Sequence, residues 1–187
     1  VSAGMLAYRY HLEQVDTSNK PLAEAGFLER SRNIYAGLYG QVVEYNDGSD
    51  RLAGGLGVEY THMEKNSPWM FQVLYDTASL EHRTSAGSTE YEYDGTLLEL
   101  LGGWFIDQNA LVTASMVTID YAFSTPGYTH NDHSTTDFYF NYKNVLSPDS
   151  VNAINVEAIL VLLEYGQDKD SNTRIGVAGD YYLDRKK

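Results

Sequence analysis

The chain has 187 residues, 43% hydrophobic and 21% charged, which argues against a disordered chain and predicts one folded domain over residues 1–187. Its net charge of −13 disfavours nucleic acid and anionic membrane surfaces as partners and favours cations. The absence of cysteine excludes disulfides and thiolate metal sites. The longest purely apolar run, Ala158–Leu163, is far shorter than the roughly 18 residues of a transmembrane helix.

Alternation of apolar and polar residues runs along most of the chain and predicts β-strands. It is clearest between Val112 and Phe123, where Val117 and Ile119 flank Thr118. The nine predicted strands span residues 1–13, 22–45, 52–63, 69–83, 90–106, 111–124, 135–146, 151–166 and 172–184. Many are long enough for a tilted bilayer crossing, which takes roughly 9 to 11 residues. We therefore predict an all-β fold, an antiparallel up-and-down transmembrane β-barrel with about nine strands visible.

The connections between the predicted strands fall into two classes. Those after the first, third, fifth and seventh strands are short turns (DTSNKP, EKNSP, DQNA, SPDS), and the others are more variable (NDGSDR, TSAGST, TPGYTHNDH, QDKDSN). Bacterial barrels have tight periplasmic turns, longer outer loops and even strand counts. We therefore expect an internal part of a barrel of about 12 strands, with one strand before Val1 and two after Lys187.

Charged side chains are expected to face the lumen, because Lys or Arg at the bilayer midplane costs about 2–4 kcal/mol. The predicted pore-lining residues are Arg9, Glu59, Asp76, Glu92, Asp94, Asp120, Asp137, Lys143, Glu157, Arg174 and Asp180. With Glu13 and Asp184 included, ten acids oppose three bases, which predicts a preference for cations. The alternative is that these charges are only the solvated face of a sheet.

Two positions do not fit the regular pattern. The second predicted strand is too long for one crossing, which suggests a bulge near residues 31–33 or an extension beyond the bilayer. Glu99 has the same parity as Leu97 and Leu101, for which we expect a register shift near Gly95.

No catalytic or metal site is predicted from the histidines. His11, His62 and His82 lie in no motif that places a nucleophile beside a base. The stretch His130–His133, with Asp132, is interpreted as a solvated surface loop, since its spacing is a weak metal signal.

A calcium loop is also disfavoured. Asp168, Asp170 and Asn172 match its first oxygen ligands, but Thr173 and Gly179 replace the glycine and glutamate that complete it. No cofactor is predicted. Binding of a divalent cation that bridges acidic surface loops to lipopolysaccharide is left as an open alternative.

Aromatic residues near strand ends favour a membrane girdle over stacking on sugars. The set is Trp69, Tyr91, Tyr93, Trp104, Tyr139, Tyr181 and Tyr182.

Two blocks resemble a family of porins from Gram-negative gammaproteobacteria. PLAEAGFLERSRNIYAG, at Pro21–Gly37, is similar to the block that follows an early strand in that family. GDYYLDRKK, at Gly179–Lys187, is similar to a later strand and the turn after it. The resemblance implies an outer-membrane β-barrel that passes small solutes, and it carries over no catalytic residue.

The sequence thus predicts an outer-membrane porin for passive diffusion of small hydrophilic solutes, with a preference for cations. Its expected partners are outer-membrane lipids and lipopolysaccharide, and association into a homotrimer is left open. The alternatives are a non-conducting structural or adhesive barrel and a soluble carbohydrate-binding β-sandwich.

Overall fold

The computed structural model describes residues 1–16, 25–146, 153–164 and 171–182, with side chains over residues 1–16, 25–128 and 133–146. Within these ranges the chain forms nine strands and one short helix. In chain order they are β1 (Ser2–His11), α1 (Ala25–Leu28), β2 (Asn33–Glu44), β3 (Asp50–Met63), β4 (Trp69–Arg83), β5 (Thr89–Phe105), β6 (Ala110–Thr125), β7 (Tyr128–Leu146), β8 (Ala153–Glu164) and β9 (Ser171–Tyr182). Among the described residues, no helix is long and apolar enough to cross a membrane.

All nine described strands belong to one antiparallel sheet, in which each strand pairs with its neighbour along the chain. The described residues therefore form a single meander and not two packed sheets. This confirms the predicted all-β fold with antiparallel strands in consecutive order. The strands run from ten residues in β1 to nineteen in β7, because most of the chain carries alternating side chains that suit a pleated sheet.

The predicted second strand is wrong in its first half. Residues 25–28 form α1, Arg30 has a positive φ of 50°, and β2 begins only at Asn33. The chain reverses here because α1 buries Ala25 and packs Phe27 against other strands, which a continuous strand could not do. We call residues 25–32 the inner segment. The first connection is consequently long, and the predicted contrast between short and variable connections does not hold for it.

The predicted loop at His130–His133 is also wrong. These residues lie on β7, and the turn before it is shortened to residues 126–127, with Gly127 at a φ of 88°. A positive φ of this size suits glycine, which lets β6 and β7 pair almost to their ends.

The parity of each strand assigns its side chains to one of two faces, because directly paired residues point the same way. We call the face on which the inner segment packs the inner face, and the opposite face the outer face. Arg9, Tyr35 and Glu59 share one paired row on the inner face, whereas Tyr8, Ala36 and Val58 form the next row on the outer face.

Pairing is continuous through Gly95, so the register shift predicted there does not exist. The unbroken register places Glu99 on the inner face, between Leu74 and Val117. Nearby, Gly55 faces inward where the ring of Tyr39 lies across it, leaving no room for a side chain. Aromatic cover of a strand glycine restores the packing that glycine cannot supply.

Candidate functional site: the inner face and its covering segment

An ionic and polar network occupies the inner face near the end of β1. Arg9 donates to the Asn33 side chain at 3.0 Å and pairs with Glu59 at 3.3 Å. Thr61 donates to Glu59 at 3.1 Å and lies 3.4 Å from the Gln72 oxygen. These contacts link four strands, because the five side chains lie in two adjacent paired rows of the same face.

Acidic side chains recur along one transverse row of the inner face. The row contains Glu59 on β3, Glu99 on β5 and Asp137 on β7, each separated from the next by one strand with an aliphatic residue. Neighbouring strands lie about 4.8 Å apart, so successive acids are about 10 Å apart across the sheet. We call these three residues the acidic row. Arg9 stands at its β1 end.

The predicted pore-lining residues divide between the two faces. Those on the inner face are Arg9, Glu59, Asp76, Asp137 and Lys143 by their pairing, and the backbone register puts Glu157, Arg174 and Asp180 at positions of the same face. Side-chain contacts of the last three lie outside the described part of the structure. Asp184, at the predicted end of the ninth strand, lies outside the described residues altogether.

The prediction that Glu92, Asp94 and Asp120 share this face is wrong. Asp94 pairs with Ser79 and Ala122, and Asp120 pairs with Thr96 and Ser134, all on the outer face.

The error arises because the loop end of β5 reverses the usual pattern. There the aromatic residues Tyr91 and Tyr93 point inward while the acids point outward, so choosing the more apolar side of the strand selects the wrong face. His82 stacks on Tyr91 at 4.9 Å, and Tyr93 stacks on Tyr121 at 5.6 Å.

The predicted aromatic girdle is only partly placed on the outer face. Trp69 and Trp104 lie there in edge-to-face contact at 4.4 Å. Tyr91, Tyr93 and Tyr139 lie on the inner face, which contradicts a girdle position. Tyr181 and Tyr182 lie on β9, outside the part whose side chains are described.

The outer face carries an uncharged apolar band. Its exposed side chains are Leu6, Tyr8, Tyr10, Ile34, Leu38, Leu56, Val58, Tyr60, Trp69, Phe71, Tyr75, Leu98, Leu100, Trp104, Val112, Phe138 and Phe140. Tyr8 is 68% and Trp69 63% exposed, values unusual for large apolar residues of a water-facing sheet. The outward acids Asp120 and Asp94 share paired rows with Leu38 and Gly40 of β2, so the apolar band is shorter on β5 and β6 than on β2.

The inner segment covers the end of the inner face near the β3–β4 and β5–β6 turns. Phe27 packs on an apolar cluster of Met63, Phe105 and Leu111, with Met70 beside it. His11 hydrogen-bonds the Ser31 hydroxyl at 3.1 Å, which fixes the segment to β1. Sequence patterns did not reveal this arrangement, since it depends on contacts between distant strands.

Arg30 ties the inner segment to two other turns. Its guanidinium donates to the Ser67 carbonyl at 2.9 Å and to the Asp107 carbonyl at 3.0 Å, and it lies 4.0 Å from the Phe105 ring centroid. Glu29 forms an ion pair with Lys65 on the first of these turns. The segment is thus anchored from β1 to the β5–β6 turn.

Glu13 and Arg32 clamp the base of this segment. Arg32 binds both oxygens of the Glu13 carboxylate, through its backbone N–H at 2.9 Å and through its guanidinium. Burial acts to raise the pKa of Glu13, but the hydrogen bonds and charge of Arg32 outweigh it, and the pKa is lowered.

The histidines lie at separate places in the described part of the structure. No group of three metal-ligating side chains occurs among the described residues. His62 contacts Tyr60 and Glu64, and His82 contacts Glu90, in separate places. Asp168 and Asp170 lie outside the described residues.

Comparison with protein-family models, curated proteins and solved structures finds no match for this chain.

Proposed function

We propose that the protein is an outer-membrane channel for the passive diffusion of small hydrophilic solutes, with a preference for cations. The observation that carries the proposal is the division of the sheet into an apolar outer face and an ionic inner face. A soluble sheet faces water with its polar side, whereas a membrane barrel presents the apolar side to lipid and the polar side to the lumen. Its partners would then be outer-membrane lipids and lipopolysaccharide, and association into a homotrimer is left open.

The dimensions of the apolar band support contact with lipid. On β2 exposed apolar side chains extend from Ile34 through Leu38 to Val42, eight residue steps that span about 27 Å along a strand. On β5 the acids Glu92 and Asp94 occupy the rows of Val42 and Gly40, so the band is shorter there. Trp69 and Trp104 lie at its turn end, the position that aromatic residues favour at a membrane interface. Closure of the sheet would satisfy its edges, as a bilayer requires.

The acidic row supports selectivity for cations. Glu59 is paired with Arg9, while Glu99 and Asp137 lie farther along the same row of the inner face. Carboxylates around a water-filled passage lower the energy of cations and raise that of anions. Because Glu92, Asp94 and Asp120 lie on the outer face, the excess of acidic over basic residues on the inner face is smaller than predicted. The acidic residues there still outnumber the basic ones.

Reversal potentials across planar bilayers under a potassium chloride gradient test this proposal. We expect cation preference in the natural protein and a smaller preference in Glu99→Gln. Asp94→Asn is the matched control, because it removes a carboxylate from the same strand on the outer face. Anion preference in the natural protein, or equal effects of the two substitutions, would contradict the proposed selectivity.

One observation favours a second candidate, a barrel that does not conduct. The inner segment lies across the inner face and is anchored to two turns, so it narrows any passage there. If the segment blocks the passage, single-channel recordings will show no conductance for the natural protein and measurable conductance for Arg30→Met. Steady conductance of the natural protein would rule this candidate out.

A further inference from the structure

Aromatic rings cover the inner face at the end of the sheet that carries the β2–β3, β4–β5 and β6–β7 turns. His82 lies between two of them, with ring centroids 5.9 Å from Tyr45 and 4.9 Å from Tyr91. Tyr91 in turn contacts Phe123 at 6.0 Å. These contacts join the end of β2 to β4, β5 and β6 in one series of rings.

A second series of rings adjoins the first. Tyr121 lies 5.6 Å from Tyr93 and 5.2 Å from His133, again between ring centroids. Tyr93 is the direct strand partner of Phe123, so the two series occupy neighbouring rows of the same face. Because neighbouring strands lie about 4.8 Å apart, the rings extend over about 24 Å from β2 to β7. We call the residues of both series the aromatic surface.

The ends of the first series are accessible. Tyr45 is 44% and Phe123 41% exposed, although the inner face carries charged side chains elsewhere. If the rings served only to stiffen the sheet, their mutual contacts would suffice and exposed ring surface would contribute nothing. Exposed rings on a hydrated face therefore indicate a surface that can bind a ligand with apolar patches.

A cavity of about 310 Å³ lies at the Tyr45 end of the aromatic surface. Its volume is at the lower end of the roughly 300 to 1,000 Å³ typical of small-molecule sites, so it suits one compact ligand unit. Tyr45 and His82 form the aromatic part of its wall. The other lining residues all carry side-chain oxygen and are Asp47, Ser49, Thr84, Ser85 and Glu90.

Charges of both signs surround this cavity. Glu90 lies 3.0 Å from Nδ1 of His82, and Arg51 is the strand partner of His82 on β3. The Asp47 carboxylate accepts from the Ser49 hydroxyl at 2.6 Å and, with roughly four acceptor sites, can accept further hydrogen bonds. No sign of ligand charge is therefore favoured, whereas ring surface beside hydrogen-bond acceptors suits a neutral ligand with hydroxyl groups.

A pyranose sugar has this combination of surfaces. When its hydroxyls are equatorial, as in β-D-glucopyranose, they point outward from the rim and leave C–H groups on both faces of the ring. The C–H faces can pack on aromatic side chains, and the hydroxyls can donate to carboxylates.

We propose that the aromatic surface binds a neutral saccharide, with one sugar ring packed on Tyr45 in the cavity and its hydroxyls donating to Asp47 and Glu90. This names a solute class for the proposed channel and rests on that function only for transport, because binding does not require conduction. Absence of conductance would refute the channel and leave the binding site standing.

Saturation-transfer NMR of the folded full-length chain in detergent micelles tests this binding, with methyl β-D-glucopyranoside as the probe. Irradiation of the aromatic protons of the protein should transfer saturation to the sugar, more strongly to one face of its ring than to the other. Sorbitol is the matched ligand control, because it has hydroxyls along a similar carbon chain but no ring face to pack on Tyr45. No transfer to the glucoside, or equal transfer to sorbitol, would overturn the proposal.

The role of Tyr45 is tested by titrating the same glucoside against variants of the chain. Tyr45→Ala should weaken binding about tenfold, because it removes the packed ring, whereas Tyr45→Phe should bind as the natural protein does. Tyr75→Ala is the control, because Tyr75 is 48% exposed but lies on the outer face of β4. Unchanged affinity in Tyr45→Ala, or equal losses in Tyr45→Ala and Tyr75→Ala, would contradict the proposed site.

Discussion

At the residue scale, Asp47 shows how a short turn between strands is held. Its carboxylate accepts from the Ser49 backbone N–H at 3.0 Å and from the Ser49 hydroxyl at 2.6 Å. These hydrogen bonds favour the charged form and lower the pKa of Asp47 in the folded protein. The contribution to stability is therefore present above the unfolded pKa of about 3.9 and is lost as pH falls through the lowered folded value.

Ser49→Ala should raise the pKa of Asp47 toward its ordinary value, because it removes the hydroxyl donor. Carboxyl ¹³C chemical shifts followed against pH measure this directly. Ser88→Ala is a suitable control in the β4–β5 turn, where Ser88 contacts Thr84 and not Asp47. An unchanged Asp47 titration in Ser49→Ala would show that the hydroxyl does not set its pKa.

At the element scale, the position of the inner segment depends on Arg30, whose guanidinium contacts the β3–β4 turn and the β5–β6 turn. Arg30→Met keeps most of the side-chain length but removes the donors to Ser67 and Asp107. Each such hydrogen bond contributes roughly 1 kcal/mol to stability. Their loss should therefore let the inner segment open more often without unfolding the sheet. Hydrogen exchange should accelerate at residues 25–32 and stay unchanged in β4 to β6.

Arg83→Met provides the comparison for this experiment. Arg83 also pairs through its guanidinium, with Glu81, but it lies at the opposite end of the sheet. Arg83→Met should leave hydrogen exchange at residues 25–32 unaltered. Equal exchange of the inner segment in the natural protein and in Arg30→Met would mean that apolar packing of Phe27 alone holds it.

Sequence patterns predicted the existence of the strands well because alternation is local. They failed where contacts between distant parts of the chain decide the structure. The helix α1 forms because Phe27 packs against Phe105 and Leu111, which lie far from it in the sequence. The faces of β5 were also misjudged, since aromatic residues point inward at its loop end. Pairing with β4 and β6 fixes that orientation, and the strand's own composition does not.

At the scale of the whole molecule, the same substitution should have different effects on stability on the two faces of the sheet. On β4, Gln72 faces inward and Val73 faces outward within the apolar band. If the outer face contacts lipid, as proposed, Val73→Arg should destabilise the protein folded in lipid bilayers by about 2–4 kcal/mol, because the charge would enter hydrocarbon. Gln72→Arg should cost clearly less.

Urea unfolding in phospholipid vesicles, followed by tryptophan fluorescence, measures both variants against the natural protein. The two variants share a strand, a depth and the introduced residue, and they differ in the face and in the residue that is replaced. Similar losses of stability in the two variants would argue against lipid contact of the outer face.

The consecutive pairing of the strands also sets how the chain can be shortened. Each described strand makes its ladder only with its sequence neighbours, so removal of the hairpin β4–β5 would bring β3 beside β6 in the same antiparallel sense. Removal of one strand would force its two neighbours to run parallel or to cross the sheet. The fold is thus modular in units of two strands, and hairpins are the pieces in which such a chain can be lengthened, trimmed or exchanged.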